Sequence, residues 1–251
     1  MGWIGSGRVF VLRFLSQQNL DLWAFVWFVV STLTYSAATK YGAPHRRSIM
    51  AAVHAQRMAW MRNMANRENR TIDVILLQQL SASHTFFAST SVIVIGGLAA
   101  MLGSGERVQG LLERLPLVAN SSPALFEGKI LFLMTLFVYA FFKFAWAFRL
   151  THYTAIMIGA TPLATAEQSP ACAAHADQVA LLAGLSAEHA NAGLRTYYQA
   201  IGGIAWFLHP VLFMVASTWV LAILLRREFF SRSRRALLGV GEMRGSTGDA
   251  T

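Results

Sequence analysis

A single cysteine, Cys172, stands among 251 residues, which excludes an intrachain disulfide and any paired-cysteine metal or redox site. Charge is scarce as well. Asp, Glu, Lys and Arg make up 13% of the chain, against about a quarter in an ordinary water-soluble domain, too few to clothe a water-facing surface. Catalytic signatures are missing: there is no GxSxG, no HExxH, no Walker loop and no glycine-rich dinucleotide turn, the patterns that place a nucleophile, a zinc pair or a phosphate cradle. His45, His54, His152, His175 and His189 fall without zinc-ligand spacing, so no metal centre is expected. The reading leans away from an enzyme.

What remains is apolar, with 55% hydrophobic and 12% aromatic residues. The clearest stretch opens at Ser122-Pro123 and continues through KILFLMTLFVYAFFKFAWAF, where Lys143 is the one charge between Lys129 and Arg149. That length crosses a bilayer, and a lysine at such depth is costly. Pro123 suits the first helical position after Ser122 because its missing N–H is not needed there. Three more apolar runs accompany it. The first runs from Leu22 to about Ala37, with Trp23, Trp27 and Tyr35 as interfacial anchors. The second runs from about His84 to Leu102 and stops at Gly103-Ser104-Gly105. Thr71 caps a helix upstream of it, so the whole helix would be roughly 48 Å long. The last runs from about Ile201 to Leu225 and closes on Arg226-Arg227.

The fold expected is therefore all-α: a polytopic membrane protein with four transmembrane helices plus two amphipathic interfacial helices. Residues 1–19 form an N-terminal arm, 20–226 the transmembrane domain and 227–251 a basic tail. Ser36-Ala37-Ala38 has the small residues of a signal-peptide cleavage site, but Asp21 and the long preceding arm argue against processing. Residues 44–66 place Met50, Val53, Trp60, Met61 and Met64 at helical spacing among Arg46, Arg47, Arg57 and Arg62, a basic amphipathic helix suited to lipid headgroups. Residues 170–200 offer Val179, Leu182, Leu185, Leu194 and Tyr198 opposite Asp177, Asn191 and Gln199. These two helices should pack on each other as a cap. The net charge of +9 lies in connections and tail, which points to anionic lipids rather than nucleic acid. An inner-membrane, multipass protein follows, with a homodimer or another membrane protein as partner.

Four crossings would put both chain ends on one side and both long loops on the other. Polar residues then gather in one half of the bilayer: Thr34 and Tyr35, His84, Ser89 and Thr90, Tyr139 and Lys143, and His209. A water-filled vestibule would satisfy them together. Each also has a structural explanation. Lys143 can snorkel to the headgroups, His209 can satisfy backbone freed by Pro210, His84 can be interfacial, and Ser89 and Thr90 can bond their own helix. Gly96, Gly97 and Ala100, with Gly202 and Gly203, suit close helix contact. No cofactor is expected, the alternative being a haem between His84 and His209.

The segments RRSIM at 46–50, WMRNM at 60–64, NRTIDVILLQQL at 69–80, FFASTSVIVIGGL at 86–98, VYAFFKFAWAFR at 138–149 and LRTYYQAIGGIAWFLHP at 194–210 resemble a bacterial family of multipass membrane proteins, domain of unknown function 599. The resemblance covers roughly residues 20–235 and implies the membrane class without any catalytic residue. Function is expected to be that of a scaffold or regulatory subunit. A small transporter using Lys143, His84 and His209 is the alternative, ahead of a haem carrier or membrane enzyme.

Overall fold

Ser122 Oγ accepts the N–H of Leu125 at 3.3 Å and Pro123 occupies the first helical position, so the longest apolar segment starts where its caps dictate. This is helix α5 (Pro123–Gly159), around which the others assemble. The computed structural model describes residues 3–41, 48–112, 114, 118, 121–162, 169–230, 232–233 and 236–237, with the side chains of 3–18, 40, 41 and 169 left outside. In chain order the other helices are α1 (Trp3–Tyr41), α2 (Ile49–Ala65), α3 (Thr71–Gly103), the short α4 (Gly105–Leu112), α6 (Ser169–Gly203) and α7 (Pro210–Phe229), with a 3₁₀ turn at Ile204–Phe207 before α7. No strand occurs among the described residues.

Four helices contain stretches long and apolar enough to cross a membrane: Asn19–Thr39, Thr71–Gly103, Pro123–Gly159 and Pro210–Phe229. α3 and α6 flank α5 as its most extensive neighbours. α3 runs antiparallel to α5: Leu77 clusters with Ile158, Phe87 stacks on Phe144 at 5.2 Å, and Leu98 clusters with Phe126 and Ile130. α6 also runs antiparallel to α5, from the pairing of His175 with the Met157 carbonyl to the packing of Gly203 on Leu133. Small residues let it lie so close. A Cβ at Gly203 would come 2.5 Å from Leu133, and one at Gly193 would come 3.1 Å from the buried Phe144 ring.

The segment read as an interfacial helix therefore returns the chain along α5, and α7 runs back down in the same direction as α1. Trp206, just before α7, bonds Asp21 near the start of the apolar stretch of α1; Phe28 stacks on Phe213; Tyr35 packs with Leu221 and Leu224; Arg195 links Thr39 with Glu228 at the far end of that stretch. Asn19, where the first apolar stretch begins, and Phe229, where α7 ends, therefore lie at opposite ends of the bundle, not at one end as four simple crossings would put them. The last apolar run is also divided. Ile201 to Gly203 finish α6, and the spanning helix begins at Pro210.

Beyond the level of Thr39 and Glu228, the overhanging ends of α3, α5 and α6 form a head with α2. Here the expected cap is found. Met61 and Met64 of α2 pack with Val179, Ala180 and Ala183 of α6, Leu77 of α3 and Ile158 of α5. α2 opens on Ser48, whose Oγ accepts the Ala51 N–H at 3.1 Å, and lies antiparallel along α6 from the Met50–Asn191 contact to Arg62–Asp177. A Cβ at Gly96 or Gly97 would meet nothing within 4 Å among the described residues, so the close contact expected there is not made by them, whereas Gly203 does make one.

Candidate functional site

The expected polar cluster is divided between the two ends of the bundle. His209 caps α7, its Nδ1 accepting the Val211 N–H at 3.1 Å, and the 3₁₀ turn before it lies at Lys129. This replaces the proline kink expected there, since the helix starts at Pro210 and has no carbonyl to free. His84 sits on the opposite half of the bundle, between the α3 residues that meet Ile158 and Phe144, level with about Ala147 or Phe148 of α5. Along the α5 axis the two imidazoles are about 28 Å apart, counting 1.5 Å per residue. One vestibule does not hold both, and one haem iron does not reach both.

The remaining members lie on three different helices and are not gathered around His84. Lys143 Nζ lies 5.2 Å from the centre of the Tyr139 ring. Tyr35 is buried against α7, with the Arg195 guanidinium 5.6 Å over its ring. Thr90 donates to the Phe86 carbonyl of its own helix, as expected for a hydroxyl at membrane depth. His84 is buried and its Nδ1 has no hydrogen-bond partner among the described residues. Arg46 and Arg47 lie outside the described residues. Arg62 forms a bidentate pair with Asp177, at 2.8 and 3.1 Å, which holds the Asp177 carboxyl below its ordinary range and raises the guanidinium. Arg57 is half-buried; burial pushes its pKa down, and Glu188 partly offsets that. Arg62 thus pairs with a carboxylate of α6, and Arg57 lies within the electrostatic influence of another.

Two of the buried carboxylates, Asp21 and Asp73, had no place in the expected polar cluster. Asp21 of α1 meets Lys129 of α5 at 2.8 Å. Its Oδ1 also accepts the indole N–H of Trp206 at 2.7 Å, and Lys129 reaches Ser121 Oγ at 3.2 Å and the Trp206 carbonyl at 3.4 Å. Three segments distant in sequence are tied at one membrane face. Asp73 repeats the device in the head: its Oδ1 accepts the Trp60 indole at 2.7 Å and Arg67 at 2.8 Å, while Arg70 donates to the carbonyls of Thr161 and Pro162. For Asp21 the usable signal was a carboxylate at the edge of one apolar run with a cation at the edge of another, and nothing local says which cation partners it; for Asp73 the cation stands six residues upstream. Such pairs register helices, and among the described residues Asp21 Oδ2 and Asp73 Oδ2 have no hydrogen-bond partner.

A groove of about 810 Å³ opens between α3 and α5 on the side away from α6. Its lining grades from Val92, Ile93 and Phe141 to Arg149, His152 and Tyr153, with Ala88, Ser89 and Ala145 along it. Ser89 is the one hydroxyl of the expected cluster placed there. Among the described residues no three His, Cys, Asp or Glu side chains come together as a metal site would need.

No curated protein and no solved structure matches the chain. The model of the family described as "Protein of unknown function, DUF599" matches residues 23–233, from the start of the first span to just past the end of α7, and the chain belongs to that family.

Proposed function

We propose that this chain is a multipass inner-membrane protein acting as a non-catalytic scaffold or regulatory subunit, which presents its helical head to a partner protein at one membrane face. The observation that carries the reading is length. α3, α5 and α6 have 33, 37 and 35 residues, or about 50–55 Å each at 1.5 Å per residue. The hydrocarbon they traverse is about 30 Å thick, a thickness that the 21 residues of Asn19–Thr39 and the 20 of α7 match. The excess is gathered at one end, packed with α2 and laced by Arg67–Asp73 and Arg62–Asp177. A chain that only had to cross lipid would not need it.

The head also keeps apolar side chains unburied. Ile72, Ile75 and Leu76 of α3 are about half exposed or more, a patch of the kind that marks an interaction surface. The transporter alternative loses its shared cavity because His84 and His209 stand at opposite ends. Purification of the full chain from native membranes in mild detergent should recover a stoichiometric companion. Ile75→Glu should lose that companion while the unfolding temperature stays unchanged. Recovery of the bare chain, or an undiminished companion on Ile75→Glu, would refute the reading.

A further inference from the structure

Arg149 projects from α5 into the mouth of the α3–α5 groove, exposed and with no ion pair among the described residues. Four salt bridges tie other basic groups to carboxylates, and the groove lining contains no carboxylate at all. Beside Arg149 stand His152 and Tyr153. His152 Nδ1 bonds the Phe148 carbonyl at 3.0 Å, which leaves its Nε2 to face outward. The lining toward the middle of the bundle is Ala88, Val92, Ile93, Phe141 and Ala145. The cation and the hydrogen-bonding ring groups stand at one end, flanked by Phe148 and Ile156, and the other end is hydrocarbon apart from Ser89.

Depth decides what fits. Phe144 packs on Gly193 and Phe87, close to the level at which Arg195 joins Thr39 and Glu228 and the α1 and α7 spans end. Arg149 lies five residues further along α5, about 8 Å past that boundary, which is the thickness of the headgroup layer. Val92, Ile93 and Phe141 lie just inside the boundary. A guanidinium recognises phosphate oxygens in bidentate fashion, and basic pockets between transmembrane helices take anionic headgroups.

We propose that this groove is a binding site for an anionic phospholipid, its phosphate on Arg149 with His152 and Tyr153 at the headgroup, and its glycerol and first acyl carbons against Ala88, Val92 and Ala145. The site is separate from the patch at Ile72–Leu76 and stands whether or not the head binds a partner.

The test is native mass spectrometry of the full-length protein in mild detergent, with phosphatidylglycerol and phosphatidylcholine of identical acyl chains supplied in competition. Phosphatidylglycerol should be retained preferentially, and Arg149→Gln should reduce that preference about fivefold, as expected for one basic group at a lipid surface. Ala145→Phe should lower occupancy by both lipids by filling the acyl end. Arg226→Gln, an exposed arginine at the end of α7, should leave the preference unchanged. Equal retention of the two lipids by the parent protein would overturn the proposal, as would an equal loss from Arg149→Gln and Arg226→Gln or undiminished binding to Ala145→Phe. Thermal unfolding of each variant in parallel separates loss of the site from loss of the fold. If Ala145→Phe unfolds, Ala145→Leu is read in its place.

Discussion

Asp21 and Lys129 meet at 2.8 Å with each side chain only 2% exposed, one from the start of the first span and the other from the third. Burying both charges is expensive, and their attraction offsets it only while both remain and the surrounding donors are satisfied. Trp206 and Ser121 supply those bonds. The pair thereby fixes the register of α1 against α5 and of the turn before α7.

Breaking that pair should destabilise the protein far more than replacing it. Lys129→Met or Asp21→Asn alone is expected to cost about 3–5 kcal/mol because one buried charge is stranded, whereas the double variant should recover most of the loss. Thermal unfolding in detergent of the two single variants and the double variant measures the coupling. Additive losses would show that the two side chains act independently.

The parallel course of α1 and α7 predicts opposite exposure of their ends. Single cysteines at Asn19 and Arg226, in a Cys172→Ala background, should react with membrane-impermeant reagent from opposite faces of the membrane. Labelling of both from one face would mean that the chain crosses an even number of times between them and that α6 does not return it.

The α2–α6 contact should loosen in acid. Arg62 holds the folded Asp177 carboxyl below its ordinary value near 3.8, so its contribution to stability is complete above that value and disappears as pH falls through the lowered one. Both groups are solvent-exposed, so the effect is local and weakens with salt. Protection factors of α2, with the intrinsic pH dependence of exchange divided out, should fall in the parent as pH drops below the ordinary carboxyl value, and Arg62→Gln should be weakly protected throughout without that step. A parent profile flat through this window would leave the pair without influence on docking.

Most of the architecture could be read locally. The run after Ser122-Pro123, the long helix from Thr71 and the stripe of Met61 and Met64 are periodic patterns of apolar residues, and each appears where it was expected, except that Thr71 is the first helical residue and not the cap, since α3 opens on Arg70 with no side-chain cap. α6 was legible as a helix but not as a partner lying along α5. Alanine and glycine at Ala180, Ala183, Gly193 and Gly203 lower its hydropathy for the same reason that they let it pack so closely. His84 and His209 were assigned to one doorway because the crossings were counted from hydropathy alone, and the unnoticed return of α6 moved one imidazole to the opposite face.

By itself the sequence determined membrane residence, the helical class and the four most apolar stretches, because partition into lipid is a sum over neighbouring residues and needs no partner. Tertiary structure alone decided which cation meets Asp21, which face of α3 stays open beside Arg149, and that Asn19 and Phe229 lie at opposite ends of the bundle. These depend on contacts between residues far apart in sequence, as between Asp21 and Lys129, and such pairing is settled only when close packing selects one arrangement of helices.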